Sequence, residues 1–413
     1  MGLKKIVLIT SGQPSTNPRL VKEADALALE DYQVTVIYQY WDSWATEADE
    51  VLLKTKNWSS ICVGGNPTYS KTIYLLTRLT HKIFRTLCSL FGNSYHLTEL
   101  ATCRTTYLLY RQAKKIKADL YIGHNLGALA PAVWAAKKNK AKCGFDAEDF
   151  HRNERINDIN DPDFKTKAYL ENKYFPSLNY ITTASPLINL EYQTIFPKLF
   201  LREINNVFGR YIEKPSKHYQ KENPLKLFWF SQKIGPDRGI PDVFKALKVL
   251  EEEDIEFHLL GKPRPRICDE FNQLIKELNF KIPPKIFYHQ PIDAISLMHY
   301  CSLFDIGLCL EPGFSRNNEI ALSNKLFTYL NTGLAIICTD TPAQKAFIKE
   351  NPLIGNFYSI GNHHELASMI KDYIHHPANL NKSKDASYQL AQQTYNWEVE
   401  SKKFLSIIKQ VID

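Results

Sequence analysis

Residues 323–340 read SNKLFTYLNTGLAIICTD. The first part predicts a helix over 324–330, opened by Ser323 as its N-cap. The second part predicts a strand over 335–338 that is apolar at every position. A strand with no polar face is covered on both sides, the condition of a parallel sheet flanked by helices. The same grammar extends outward in both directions. Strands are expected at 225–230, 257–260, 285–288, 306–310 and 357–360, with helices at 241–252, 269–278 and 293–300 between them. The first half of the chain repeats it, with strands at 6–10, 34–38, 120–123, 143–146 and 180–183 and helices at 19–30 and 128–138. The expected architecture is α/β, with two doubly wound, Rossmann-like domains facing each other across a cleft. Their expected bounds are 1–206 and 223–396, joined by a polar linker at 207–222 that holds Pro215 and Pro224 in or beside it. The last helix, 397–413, carries an apolar stripe of Trp397, Phe404, Ile407 and Ile408 and is expected to pack back on the first domain.

Composition supports ordinary globular domains. Of 413 residues, 44% are apolar, 23% are charged and 17 are Gly, which excludes a collagen, a coiled coil or a disordered tail. No run approaches the ~18 apolar residues of a membrane-spanning helix. The apolar run after Lys5 is too short for a signal peptide and reads as a buried strand. Eight cysteines, with no CxxC pair, read as buried, reduced thiols of a cytoplasmic protein. Net charge is +7, but it is unevenly spread. Residues 51–145 hold 15 Lys or Arg against two acids, Glu99 and Asp119, so the remaining chain is net acidic. That asymmetry points to an anionic partner.

Open parallel sheets bind ligands beyond the carboxyl ends of their strands. After the strand at 225–230 comes SQKIGPDRG, residues 231–239, which offers Ser231, Lys233, Gly235 and Arg238. Two cations on a glycine-bearing loop, with backbone N–H groups close by, suit a phosphate or diphosphate. After the strand at 306–310, Glu311 opens a polar loop that runs through Glu319 to Ser323, Asn324 and Lys325. A helix start with a hydroxyl, an amide and a cation is an anion site, and the two glutamates suit the hydroxyls of a polyol. Each feature alone reads equally well as a plain cap or a solvated turn. Two such loops at strand ends of one domain together point to a ligand.

The stretch SNKLFTYLNTGLAIICTD resembles the NKLFEYMAAGLPVIASD segment of glycosyltransferase family 4, and SQKIGPDRGI resembles that family's donor loop, GRLxxxKG. The segments SGQPSTNPRLVKEADALALEDYQVTVI, DLYIGHN, TTASPLI and INNVF and the helix at Trp397 match other family landmarks. The resemblance spans nearly the whole chain and is specific at the two C-terminal loops. It implies a GT-B fold, a nucleotide-sugar donor held by the C-terminal domain, an acceptor held by the N-terminal domain, and retention of anomeric configuration. It also implies no bound cofactor and no metal, with a UDP- or GDP-sugar as co-substrate. By position, Lys233 stands where the family has Arg and Arg238 where it has Lys, so the diphosphate-binding charge survives the exchange. Lys233, Arg238 and Glu319 are the implied catalytic residues. Ser231, Gly235, Glu311, Ser323, Asn324, Lys325 and Thr328 are the implied donor-binding ones, and Gly12, His124 and Asp149 lie on the acceptor side.

The sequence departs from the family in two places. The family pairs two glutamates eight positions apart, the second in the helix after KLF, and Thr328 occupies that place here. Glu311 and Glu319 show the spacing in another register, with Glu319 the better candidate for the first glutamate, which faces the donor sugar. In FDAEDFHRNE, Glu148 and Asp149 replace the histidine of many members. Two alternatives follow: a non-catalytic sugar-nucleotide-binding relative, or an epimerase or hydrolase of nucleotide sugars on the same scaffold. A dinucleotide dehydrogenase is disfavoured because neither half has GxGxxG after its first strand. Residues 72–91, TIYLLTRLTHKIFRTLCSLF, form an amphipathic stretch of aliphatic, aromatic and basic residues suited to an anionic lipid surface. The expected partners are therefore a nucleotide sugar, a glycan or lipid-linked acceptor and an anionic membrane surface, with no nucleic acid, for a cytoplasmic protein peripheral to the inner face of the membrane.

Overall fold

The computed structural model describes residues 3–93, 96–212 and 218–412. The chain divides into two compact units, Met1–Asn205 with Ser401–Asp413, and Asn206–Glu400. Seven strands build the first: β1 (Lys5–Thr10), β2 (Gln33–Gln39), β3 (Ser59–Val63), β4 (Leu120–His124), β5 (Lys142–Ala147), β6 (Tyr180–Thr183) and β7 (Leu201–Glu203). They are hydrogen-bonded in the order β3-β2-β1-β4-β5-β6-β7, all parallel. Six strands build the second: β8 (Leu225–Ile234), β9 (Ile255–Pro263), β10 (Lys285–His289), β11 (Ile306–Cys309), β12 (Ala335–Thr339) and β13 (Gly355–Tyr358). Their order is β10-β9-β8-β11-β12-β13, again all parallel.

Both sheets follow the doubly wound order, in which the chain reverses direction across the sheet beside its first strand. The switch points lie between β1 and β4 and between β8 and β11, and there the strand ends splay to leave a crevice. The central strands are apolar throughout because helices cover both faces: Ile6–Ile9, Ile306, Leu308 and the whole of β12 are buried. In the second unit, Trp229, Phe244, Phe257 and Phe271 anchor the core between the sheet and its helices.

The structure differs from the sequence reading at the margins. Strands β3 and β7 were not expected; β3 is an exposed edge strand and β7 has three residues, so neither leaves an apolar run to see. The expected loop at 231–234 is instead the continuation of β8. A bulge between Phe230 and Lys233 breaks its pairing with β9 and lets it resume. The last strand begins at Gly355 and ends at Tyr358, earlier than the expected 357–360. All eight cysteines are free thiols; Cys103, Cys143, Cys301, Cys309 and Cys338 are buried, but Cys88 and Cys268 are half-buried and Cys62 is exposed on β3.

The polar stretch at 207–222 lies in the second unit and is pinned there by side-chain amides. Asn331 donates to the Gly209 carbonyl (2.8 Å) and accepts from the Tyr211 N–H (3.1 Å). Asn381 makes the same pincer on Tyr219, at 3.0 and 2.8 Å. A side-chain amide both donates and accepts, so it stands in for a neighbouring strand. Within the chain's last helix, Trp397–Ile412, the start is held by the second unit, where the Trp397 N–H reaches the Phe208 carbonyl. Its end is held by the first, where Lys409 pairs with Glu30 at 2.8 Å and Lys4 reaches the Ile412 carbonyl.

Candidate active site

In the second unit the expected donor residues gather at the carboxyl ends of β8 and β11. Beyond β8 the chain makes a single 3-10 turn, Pro236–Arg238, and enters the helix Ile240–Val249 through Gly239. Gly239 has φ +72°, and a Cβ there would lie 2.7 Å from Leu310 at the end of β11. Only glycine allows both the left-handed turn and this close approach. Lys233 is exposed on the extended part of β8 and stands opposite Lys262 of β9 in the register. Like charges facing across neighbouring strands are destabilising, so the pair makes sense with an anion between them. Gly261, with φ +152°, allows the crossing, because a Cβ there would meet the Ser231 carbonyl. The Arg238 Nε is buried with no hydrogen-bond partner among the described residues. Arg264, just past β9, pairs with Asp237 of the turn at 2.9 Å.

The sequence reading singles out Lys233, Gly235 and Arg238; the structure sets Lys262 opposite Lys233 and Arg264 beside the turn. Their signal was present: GKPRPR, residues 261–266, follows the second strand of the same sheet. Asking what stands at the end of that strand as well would have found them.

The cluster at the end of β11 is organised differently. Glu311 is buried and accepts hydrogen bonds from Lys325 (2.8 Å), Ser323 (3.0 Å) and Asn318 (3.1 Å). Burial pushes its carboxyl up, but the Lys325 charge and these hydrogen bonds prevail and hold it at about 2. Lys325 also lies over the Trp229 ring, 5.8 Å from its centroid. Glu311, Ser323 and Lys325 are therefore brought together, but largely satisfy one another. Ser323 is the N-cap residue of the helix Asn324–Asn331, yet its hydroxyl goes to Glu311 and not to the helix N–H groups. Asn324 is exposed at the helix start. Thr328 is fully buried and its hydroxyl is spent on the Asn324 carbonyl at 3.0 Å, so it presents no group to a ligand. Glu319 lies on the short helix Arg316–Ile320, half-buried and paired with Arg316 at 3.0 Å.

In the first unit the expected acceptor-side residues fall around the ends of β1, β4 and β5. Thr10, His124, Asp146 and Thr182 stand in one row across β1, β4, β5 and β6. Arg19 and Glu23, from the helix Pro18–Leu29, lie against that row. Arg19 grips Asp146 with two hydrogen bonds, 2.6 and 2.8 Å, and donates to the Ile204 carbonyl. Thr182 donates to Asp146 at 2.6 Å. His124 is 1% exposed; its Nε2 is 3.2 Å from Glu23 and its Nδ1 3.5 Å from Asp146. Burial alone would lower the His124 pKa, but the Glu23 and Asp146 carboxylates raise it to about 9. Arg19 and His124 hold Asp146 well below the usual carboxylate range against the opposing effect of burial. His124 is thus enclosed in a charge cluster, not presented at a surface. Glu148 and Asp149 follow β5, and burial, then Asp149 and Asp146, push Glu148 up to about 7. The Gly12 N–H donates to the Thr10 hydroxyl, and its carbonyl accepts from Gln39.

Beside this cluster, at the ends of β1 and β2, a cleft of ≈ 960 Å³ opens within the first unit, lined by Ser11, Tyr40, Trp41 and one side of the helix Lys71–Phe91. That helix buries just Thr77 of its 21 residues. Leu75, Leu76, Leu79, Ile83, Leu90 and Phe91 are exposed along it. Among the described residues no helix is long and apolar enough to cross a membrane.

No known protein family's sequence profile matches the chain, and no curated protein matches it in sequence. Solved structures do match in fold. HepE of Anabaena, solved in complex with UDP, superposes with a TM-score of 0.70 at 12% identity, covering 99% of this chain and 100% of that one. Sucrose-phosphate synthase of Thermosynechococcus elongatus gives 0.67 at 13% identity, covering 98% of each chain. TarM of S. aureus, in complex with fondaparinux, alpha-GlcNAc-glycerol and UDP, gives 0.67 at 10% identity, covering 98% and 99%. The two parallel α/β units are those of the GT-B glycosyltransferase fold.

Proposed function

We propose that the protein is a glycosyltransferase that moves a sugar from a UDP-sugar to an acceptor hydroxyl, with the donor diphosphate bound at the ends of β8 and β9. The observation that carries this reading is the convergence of Lys233, Lys262, Arg238 and Arg264 around the turn at 235–239. The fold likeness to HepE, solved with UDP, and to TarM, solved with UDP and a GlcNAc-glycerol, favours UDP over GDP.

Cleaving the sugar–phosphate bond develops positive charge at the anomeric carbon and negative charge on the leaving diphosphate. Fixed cations around the diphosphate stabilise that separation more than the ground state. Glu319 is the carboxylate we assign to the donor sugar. For retention, the acceptor hydroxyl attacks on the face the diphosphate leaves, and a phosphate oxygen takes its proton. The exposed leucines of the helix Lys71–Phe91 support a contact with membrane and hence a lipid-linked acceptor.

The buried Thr328 in place of the family's helix carboxylate favours a second reading, a relative that binds nucleotide sugar without turning it over. Incubation with UDP-glucose or UDP-N-acetylglucosamine, read by UDP release and by NMR of the anomeric centre, separates the two. We expect slow UDP release and an axial product. Tight UDP binding with no release, under any acceptor, would favour the second reading.

A further inference from the structure

We infer that the cleft in the first unit binds an acidic acceptor, a glycosyl phosphate or diphosphate, through a set of cations that no carboxylate among the described residues offsets. The inference rests on the transferase reading above and names the chemical class of its acceptor.

Arg78, Lys82 and Arg85 occupy positions i, i+4 and i+7 of the helix Lys71–Phe91 and so share one face. That face lines the cleft. Arg104 lines the same cleft and is fixed in place. It donates to the carbonyls of Gly64 (2.7 Å) and Tyr40 (2.9 Å) and to the Thr77 hydroxyl (2.8 Å). It also lies over the Tyr74 ring, 5.0 Å from its centroid, while Arg78 lies near the same ring at 5.6 Å. Burial lowers the Arg104 pKa from its ordinary value, yet carbonyls and a hydroxyl, not carboxylates, are what it meets. Among the described residues no Asp or Glu lines this cleft, and none of the four cations forms an ion pair.

A second cleft of ≈ 960 Å³ shows that this is not simply the basic character of the region. It shares Trp41, His81 and Arg85 with the first, but there Glu154 and Asp163 offset Lys167 at 3.0 and 2.9 Å. The second cleft thus sets two carboxylates among its cations, whereas among the described residues the first sets none. Four cations within one cleft repel each other, and guanidinium groups take phosphate oxygens through paired hydrogen bonds. The exposed Trp41 at the same cleft supplies an apolar face for a pyranose ring. The cleft also lies beside Ser11 and Tyr40, just past β1 and β2, at the edge where a doubly wound sheet takes its ligand.

The test is a binding titration without nucleotide, so that it does not depend on the donor site. The probes are N-acetylglucosaminyl diphosphate with a short water-soluble alkyl chain, its uncharged alkyl glycoside, and phosphatidylcholine vesicles with and without a polyprenyl-linked form of the diphosphate. We expect saturable binding of the glycosyl diphosphate and none of the uncharged glycoside. Binding should weaken by about tenfold or more per guanidinium lost in Arg78→Ala and Arg85→Ala, whose side chains are exposed. Lys138→Ala, an exposed cation outside the cleft, serves as the control and should bind as the wild type does. Preference for the vesicle-borne diphosphate over the soluble one identifies a lipid-linked source, and equal affinity a free one; both uphold the inference. It is overturned if the uncharged glycoside binds equally, if the arginine variants bind unchanged, or if plain phosphatidylglycerol vesicles or a single-stranded oligonucleotide compete at equal affinity. UDP binding by the same preparation keeps the two questions apart, since the acceptor inference can fail while the donor reading stands.

Discussion

Two charged clusters, one at the carboxyl end of each sheet, use their charges in opposite ways. In the first unit Arg19, Glu23, His124 and Asp146 are fully enclosed; Arg19 is hydrogen-bonded to Asp146, and His124 lies 3.2 Å from Glu23 without a hydrogen bond. In the second, Lys233 and Lys262 face each other in register, and the Arg238 Nε has no partner. A charge buried with its counter-ion has its partner built in and does structural work. Like charges held together near solvent repel by up to about 1 kcal/mol, a cost that a bound anion would relieve. We rest the proposed donor site on this contrast, since His124 ends its strand in the right place and is nevertheless sealed.

The largest effect expected from this contrast is catalytic. Lys233→Ala or Arg238→Ala should lower kcat by about 10²–10³, the range for losing one preorganised donor to a developing anion, with the melting temperature little changed. A large drop in stability with activity retained would place these residues with the structural cluster instead. The next effect is on stability, in the first unit. Arg19→Ala strands Asp146 and should cost about 3–5 kcal/mol, as breaking a buried ion pair does. Chemical denaturation followed by hydrogen exchange of β4 and β5 would read it, and a loss under about 1 kcal/mol would contradict the buried pairing.

The third prediction uses pH. The folded-state pKa of His124 is raised to about 9 from an unfolded value near 6.5. Its contribution is therefore fully present below about pH 6.5 and is lost as pH rises through 9. Wild type should exceed His124→Asn in stability by on the order of 3 kcal/mol at pH 6, with the gap closing towards pH 10. A gap that stays constant across that range would mean His124 is neutral in the folded state.

Much of this was legible in the sequence. Buried strands such as β1 and β12 announce themselves because both faces are covered, leaving an uninterrupted apolar run. The order of alternation then implies the parallel sheets. The extension of β8 was not legible, because Ser231, Gln232 and Lys233 are polar and pair with β9 beyond a bulge that leaves no periodic mark. Nor was the pairing of Arg19 with Asp146, 127 positions apart, since which charges meet depends on register across three strands. Lys262 and Arg264 were readable in principle but were not sought. The role of Thr328 was the reverse case: the sequence marked the position, and the structure gives its hydroxyl to the helix backbone. Accordingly the smallest expected effect is that of Thr328→Val, below about 1 kcal/mol in stability and with UDP affinity unchanged. A weaker UDP complex in that variant would restore Thr328 to the donor site.

The most direct test of the account is calorimetric titration of the wild type and of the Lys233→Ala/Arg238→Ala double variant with UDP, UMP and uridine. The account predicts that UDP binds more tightly than UMP, that uridine binds least, and that the double variant loses most of the difference between UDP and UMP. Equal affinity for UDP and uridine, or a double variant that binds UDP as the wild type does, would contradict it.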